Sequence, residues 1–173
     1  TIDRIASWFY RSGSQTSDFN FNKVINIVLE KVKQSSRHLN LTLNIQNDIT
    51  LKGEFYSHIA DLFRIFFDNA LTHSVQSINI IGCEININIV DNWAEIKIVN
   101  ENPDPDKIGD LGKQNEQKIN IKKISSEDKS GLHKASKIIK SDLKFEGNEC
   151  FRSIDENGRY CVDMKINIEN LVL

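Results

Sequence analysis

FYSHIADLFRIFFDNALTHS, residues 55–74, is the part of this sequence with the clearest helical pattern. Its apolar residues recur at the i, i+3, i+4, i+7 spacing of a helix with one buried face. They are Ile59, Leu62, Phe63, Phe66 and Ala70, whereas Ser57, Asp61, Arg64 and Asp68 fall on the opposite side. Asn69 lies at the border of the apolar face, with Ile65 one turn before it and His73 one turn after it. We therefore predict an amphipathic helix that carries an amide at the edge of its buried face.

Length and composition indicate an ordinary globular domain. The chain has 173 residues, of which 27% are charged and 39% hydrophobic, enough to build one full core. A net charge of −2 gives no overall field that would attract nucleic acid or a membrane surface. The apolar runs are far shorter than the roughly 20 residues that a membrane span requires. These numbers argue against nucleic-acid and membrane partners.

The N-terminus and the cysteines predict the cellular compartment of this domain. No signal peptide opens the chain, and because residue 1 is Thr rather than Met we expect a piece of a longer protein. Cys83, Cys150 and Cys161 make an odd count at no metal-like spacing. Buried free thiols in a reducing cytoplasm are the first interpretation, and a Cys150–Cys161 pair across a hairpin is the alternative.

Two regions are predicted along the chain. Residues 1–18 contain a short helical pattern and a polar linker, which we assign to an upstream region of the same protein. That helix packs either on this domain or on the upstream part, and a homodimer could form through it. Residues 19–173 form the second region, in which residues 101–130 are a long polar loop that carries both prolines.

The second region alternates helical and strand patterns. In order, we first predict a helix capped by Asn20 or Asn22 and ending near Leu39, a strand over 41–46, a short strand over 49–52 and the helix at 55–74. Two strands within 78–100 follow and are joined at Asp91-Asn92. The last elements are a helix starting at Ser130-Gly131 and a hairpin from Leu143 to Ile168 that turns at Asn157-Gly158. Alternating strands have one buried face and one wet face. The predicted fold is therefore α+β, a two-layer α/β sandwich with a mixed, mostly antiparallel sheet and about three helices on one face.

This order of elements over residues 19–170, together with the run Asn69-Ala70 followed by His73-Ser74, resembles the GHKL (Bergerat) ATP-binding fold. That fold is shared by histidine kinases, DNA gyrase, MutL and heat-shock chaperones. In the family, the Asn of such a helix helps to hold magnesium on the ATP phosphates. Two positions depart: Ile65 stands where the family has Glu or Asn, and Thr72 where kinases often have Lys. An Ile can be neither a general base nor a ligand. The alternative is a core helix with a polar residue at its rim.

A second motif follows the strand that ends at Asn100, where the family has Asp-x-Gly-x-Gly and the Asp accepts the adenine amino hydrogen. Asn100 could still accept that hydrogen while its own amide donates to a ring nitrogen, and quorum-sensing kinases resemble this chain in having Asn there. Glu101-Asn102-Pro103-Asp104 replaces the glycines, and Asn102 tolerates a left-handed backbone. The alternative is an ordinary asparagine at the end of a strand.

A third motif, Ser130-Gly131-Leu132, resembles the end of the family's Gly-x-Gly-Leu, which closes the lid and binds phosphates at a helix N-terminus. Lys129 replaces the first glycine, and His133 and Lys134 add positive charge nearby. The alternative is a simple N-cap.

The resemblance implies a module that binds ATP or ADP with Mg²⁺, as in the catalytic domain of a histidine kinase from a larger cytoplasmic protein. Its alternative is a degenerate domain that does not hydrolyse ATP and acts as a nucleotide sensor or partner-binding regulator. The implied metal ligand is Asn69, and the implied nucleotide-binding residues are Asn69, His73, Asn100, Asn102, Ser130, Gly131, Leu132 and Lys134.

Overall fold

The computed structural model describes residues 17–32, 37–108, 117–118, 131–143 and 147–173. Within these ranges the helices are α1 (Phe21–Val32), α2 (Tyr56–His73), the single turn α3 (Pro105–Ile108) and α4 (Gly131–Lys137), which continues as a π-helical turn over Ile138–Asp142. The strands are β1 (His38–Gln46), β2 (Ile80–Val90), β3 (Trp93–Asn100), β4 (Gln117–Lys118), β5 (Glu149–Ile154) and β6 (Tyr160–Asn167). The predicted N-terminal helix and most of the predicted loop at 101–130 lie outside the described residues.

The strands form one sheet in the order β1-β2-β3-β6-β5-β4. β1 runs parallel to β2, and the other neighbouring pairs are antiparallel. Helices α1 and α4 both pack against α2, and the three cover the face of the sheet that carries its buried side chains. The predicted α+β two-layer sandwich with a mixed sheet is confirmed. In the described part of the chain, none of the helices combines the length and hydrophobicity that crossing a bilayer requires.

The first helix is capped from two directions. The side-chain Oδ1 of Asn20 accepts a hydrogen bond from the backbone N–H of Lys23 at 2.8 Å, so Asn20 rather than Asn22 is the cap. Asp48 adds a second acceptor at 3.2 Å from the Phe21 N–H, where a negative charge is favourable. The predicted end near Leu39 is wrong, because Leu39 already alternates with exposed neighbours as a buried residue of β1.

Two further boundaries differ from those predicted. Residues 49–52 form no ladder, because Leu51 makes only isolated bridges, with Phe19 and with Val172. Its fully buried side chain fixes this segment instead. Leu143 was expected in the last hairpin, but its N–H donates to the Ile138 carbonyl at 2.9 Å and ends the π-helical turn of α4. A buried leucine is expected at this position both in a strand and at the end of a helix, so the sequence does not distinguish the two.

Both predicted hairpin turns are confirmed. Asp91 adopts a left-handed φ of 52° between β2 and β3, and Gly158 adopts 76° between β5 and β6. The cysteines are buried and free. The register places Met164 opposite Cys150 and Ser153 opposite Cys161, so the alternative of a cross-strand cysteine pair is wrong.

Candidate functional site

Asn100, the last residue of β3, joins the sheet to the end of α2. Its side chain is 4% exposed, and its Nδ2 donates to Ser74 Oγ at 2.9 Å. The fully buried Ser74 hydroxyl donates in turn to the Ala70 carbonyl of α2. Asn100 Oδ1 accepts from the backbone N–H of Asn102 at 3.0 Å. An amide has two N–H groups and two acceptor positions, so these bonds fix its orientation while using half of its capacity.

The loop after β3 is tied to the same helix end. Asn102 Oδ1 accepts from the Gly82 N–H at 3.1 Å, and its carbonyl accepts from the Val75 N–H at 3.1 Å. Farther along, the His73 carbonyl accepts from the Asp104 N–H at 2.8 Å. Residues 101–104 are therefore held by hydrogen bonds where the related motif has glycines.

Uncharged side chains flank the Asn100 amide on the buried face of the sheet. Cys83 on β2 and Tyr160 on β6 are its direct cross-strand neighbours. Burial, with a smaller contribution from the nearby Glu101 carboxylate, raises the pKa of the Cys83 thiol to about 12. Burial likewise raises the pKa of Tyr160 to about 12. Both groups are neutral at physiological pH, so this end of the site suits an uncharged ring.

Asn69 lies farther toward the N-terminus of α2 and contacts the first residue of α4. Its Nδ2 is buried and makes no hydrogen bond to any of the described residues. A Cβ placed on Gly131 would lie 3.0 Å from Asn69 Oδ1 and 3.0 Å from Ile65 Cγ2. Since the φ of Gly131 is not in the left-handed region, close approach is what requires glycine here.

The structure thus brings four of the predicted residues together in two groups. Asn100 and Asn102 lie at the end of α2, and Asn69 and Gly131 lie about one and a half turns earlier. The side chains of His73 and Lys134 are exposed on α2 and α4. Ser130 and the side chain of Leu132 lie outside the described residues. Ser74 belongs to the run His73-Ser74 that carries the resemblance, but it was not predicted as a site residue.

These residues fit magnesium only as a companion of bound phosphate. Asn69 offers one amide oxygen, and the adjacent Ile65 offers no ligand atom. The described residues contain no group of three or more His, Cys, Asp or Glu side chains that could hold a metal ion. Phosphate oxygens and water would have to supply the remaining ligands of an octahedral Mg²⁺.

Gly131→Ala is expected to lower the free energy of unfolding by about 1 to 2 kcal/mol, because the new methyl group would lie 3.0 Å from Asn69 Oδ1 and from Ile65 Cγ2 and would force both packed side chains to shift. Helix propensity alone predicts the opposite sign, a gain of up to about 1 kcal/mol. Urea denaturation followed by circular dichroism measures the difference. In an Asn69→Ala background the loss should be smaller, and a stabilised Gly131→Ala protein would contradict the close contact.

Comparison with known proteins identifies the fold. A scan against protein-family models and a search among curated proteins gave no match. Among solved structures, the catalytic domain of histidine kinase ThkA matches 87% of this chain and 94% of its own, with a TM-score of 0.56 and 14% identity. The Acinetobacter baumannii histidine kinase AdeS matches 88% of this chain and 67% of its own, with a TM-score of 0.57 and 18% identity. The mycobacterial sensor histidine kinase MprB matches 87% and 95%, with a TM-score of 0.57 and 15% identity.

A structure of ThkA in complex with the response regulator protein TrrA also matches, over 96% of this chain and 46% of its own, with a TM-score of 0.53 and 15% identity. At identities this low, the structural match shows the fold alone. This chain has the GHKL fold of histidine kinase catalytic domains.

Proposed function

We propose that this chain binds an adenine nucleotide, ATP or ADP, between α2 and the N-terminal end of α4, and does not hydrolyse it. The observation that carries the proposal is the buried Nδ2 of Asn69, which has no hydrogen-bond partner among the residues that the structure describes. Leaving such a donor unpaired costs about 1 to 3 kcal/mol, and native proteins seldom do so without a reason. A phosphate oxygen is an acceptor that would satisfy it once the Gly131 end of α4 shifts to admit the ligand.

The Asn100 end of the site suits the base. Adenine presents an amino donor beside a ring-nitrogen acceptor, and an amide complements both. Ser74 and Asn102 fix the Asn100 amide before any ligand arrives. The helix rises about 7 Å from Asn69 to Ser74, which leaves the length of a ribose between base and phosphates.

Ile65 argues for binding without hydrolysis. Its side chain contacts the start of α4 beside Asn69, where a polar group would be needed to activate water or to hold a metal. Such a domain would act as a nucleotide sensor or partner-binding regulator of a larger cytoplasmic protein, which agrees with its free cysteines. Its partner would be the upstream region of its own chain.

The second candidate is phosphoryl transfer from ATP to a histidine upstream, as the histidine-kinase fold suggests. Incubating the full-length protein with γ-labelled ATP distinguishes the two candidates. We expect nucleotide binding with neither phosphate release nor a labelled histidine. A labelled protein would establish the kinase instead.

Asn69→Leu is expected to change stability and binding in opposite directions. Replacing the unpaired amide with an apolar group of similar shape should raise the free energy of unfolding without ligand by about 1 kcal/mol. The same change should abolish the stabilisation that ATP gives, because it removes the N–H group that would donate a hydrogen bond to a phosphate oxygen. Thermal denaturation with and without ATP, together with isothermal titration of ATP and ADP, measures both effects.

Asn86→Leu is the matched control. Asn86 lies on the other face of the sheet, where its Nδ2 donates to Glu84 and its Oδ1 accepts from Asn44, both at 2.9 Å. This variant should lose stability and keep nucleotide binding. Wild-type protein that binds neither ATP nor ADP, or an Asn69→Leu variant that binds both as well as wild type, would overturn the proposal.

A further inference from the structure

Strand β1 is a nine-residue edge strand with nothing in its sequence to prevent pairing. It lies at one end of the sheet, and within the described residues β2 is its only partner strand. Natural edge strands are usually blunted by lysine, proline, inward charges or a bulge. HLNLTLNIQ contains no Lys, Pro, Asp or Glu, and its register with β2 runs without interruption from His38 to Gln46.

The sequence of β1 is close to palindromic about Thr42. Reading outward from Thr42, the residues at equal distance are Leu41 and Leu43, then Asn40 and Asn44, then Leu39 and Ile45, then His38 and Gln46. Two antiparallel copies centred on Thr42 would place leucine opposite leucine or isoleucine on one face and amide opposite amide on the other. We propose that the outer edge of β1 pairs with the same edge of a second copy of this chain, which makes one continuous sheet across a two-fold axis.

Burial along the strand supports this occupant. Leu39 is buried, whereas Leu41, Leu43 and Ile45 are only half-buried, although all four lie on the side of the sheet that the helices cover. The helix layer therefore does not fully cover the edge. Leucines of a second copy would cover these side chains, since directly opposite residues have Cβ atoms about 5 Å apart.

The outer face of the sheet supports the same register. Asn44 Nδ2 donates to Asn86 Oδ1 at 2.9 Å, and Asn86 Nδ2 donates to Glu84 Oε1 at 2.9 Å. These bonds form a row of side-chain hydrogen bonds that begins at the edge strand. Pairing Asn44 with the second copy's Asn40 would continue the row across the axis.

A strand edge of nine residues is about 30 Å long. Edge pairing alone buries less than the roughly 1,000 Å² typical of stable interfaces, so we expect a weak, reversible dimer. Sedimentation velocity of the complete 173-residue chain, from low micromolar to submillimolar concentration, should show a concentration-dependent monomer–dimer equilibrium. Hydrogen exchange at the same concentrations should show that β1 amides become protected as the dimer forms.

Thr42→Lys tests the axis itself. Thr42 is exposed, so the monomer should fold normally, but two lysines would then face each other across the two-fold axis. We expect dimerisation to weaken at least about tenfold, because one like-charge pair and the lost fit together exceed 1.4 kcal/mol. Asn40→Lys, which meets Asn44 rather than itself, should weaken it less.

Ser57→Lys adds the same charge on the exposed side of α2 and should leave the dimer unchanged. A chain that stays monomeric at all concentrations would overturn the proposal, whether or not another protein binds this edge. A dimer that Thr42→Lys leaves intact, such as one formed through the N-terminal helix, would overturn it as well.

Discussion

Arg37→Met is expected to lower the free energy of unfolding by about 3 kcal/mol, more than any other surface substitution proposed for this chain. The Arg37 guanidinium donates to three backbone carbonyls at the end of α2: Leu71, Val75 at 2.7 Å, and Ile78 at 2.9 and 3.1 Å. The Leu71 carbonyl belongs to the last turn of the helix, where carbonyls lack intrahelical partners and a positive charge is favourable. Hydrogen bonds from a charged donor contribute about 1.5 to 3 kcal/mol each, and partial exposure to water reduces that sum.

Arg64→Met is the matched control. Arg64 lies on α2 and meets Asp68 at 3.7 Å, with both side chains more than half exposed, so its loss should cost less than about 0.5 kcal/mol. Arg37→Lys keeps the positive charge but loses the planar guanidinium with its several N–H donors, so its loss of stability should lie between those of Arg37→Met and Arg64→Met. Urea midpoints at unchanged m-value give the ranking. If Arg37→Met and Arg64→Met were equally mild, water would be replacing the guanidinium at those carbonyls.

The role of Arg37 extends to the candidate site, because both depend on the same end of α2. Val75 accepts from Arg37 through its carbonyl, and its N–H donates to the Asn102 carbonyl. The preceding residue, Ser74, orients the Asn100 amide. A change that loosens this helix end should therefore lower stability and disturb the hydrogen bonds that fix Asn100 and Asn102. If the chain binds a nucleotide as proposed, the same change should weaken that binding.

Local patterns in the sequence were enough to predict most of the fold. The 3.6-residue period located α2, and alternation with turn residues located β2, β3 and β6. The errors occurred where burial and secondary structure do not coincide. Leu51 is fully buried without belonging to a strand, and Leu143 is buried at the end of a helix. An apolar residue in a short segment gives the same signal in all of these settings.

The candidate site was predictable only where a residue resembles a motif. Asn69, Asn100 and Gly131 could be named for that reason, and Asn69 and Gly131 prove to be in contact. Ser74 belongs to the same motif, but its bond to Asn100 could not be predicted, and neither could the role of Arg37, because their partners are distant in sequence and no local period reveals them. The unpaired Nδ2 of Asn69 is likewise a property of the packed structure alone.

Alkaline pH should destabilise this protein steeply, because it buries neutral groups that ionise when the chain unfolds. The pKa values of Cys83 and Cys150 are raised by burial from 9.0 to about 12, and that of Tyr160 from 10.0 to about 12. Above pH 9 for the two thiols, and above pH 10 for Tyr160, the unfolded chain loses these protons while the folded chain retains them. The unfolded state then binds fewer protons, so stability falls as pH rises. Each thiol contributes a slope of about 1.4 kcal/mol per pH unit.

We therefore expect the free energy of unfolding to be insensitive to these groups below pH 9 and to fall between pH 9 and 12, by about 3 kcal/mol per unit from the two thiols together. Over those three pH units the two thiols together would remove about 8 kcal/mol, which exceeds the lower part of the range of about 5 to 15 kcal/mol that is typical of domain stability. Urea denaturation at a series of pH values measures the slope. Cys83→Val keeps an apolar group in the core but removes one ionisable thiol, so it should remove about 1.4 kcal/mol per unit from the slope. If the slope were the same in Cys83→Val, the Cys83 thiol would not be a buried neutral group beside Asn100. The proposal that uncharged side chains flank the adenine end of the site would then have to be abandoned.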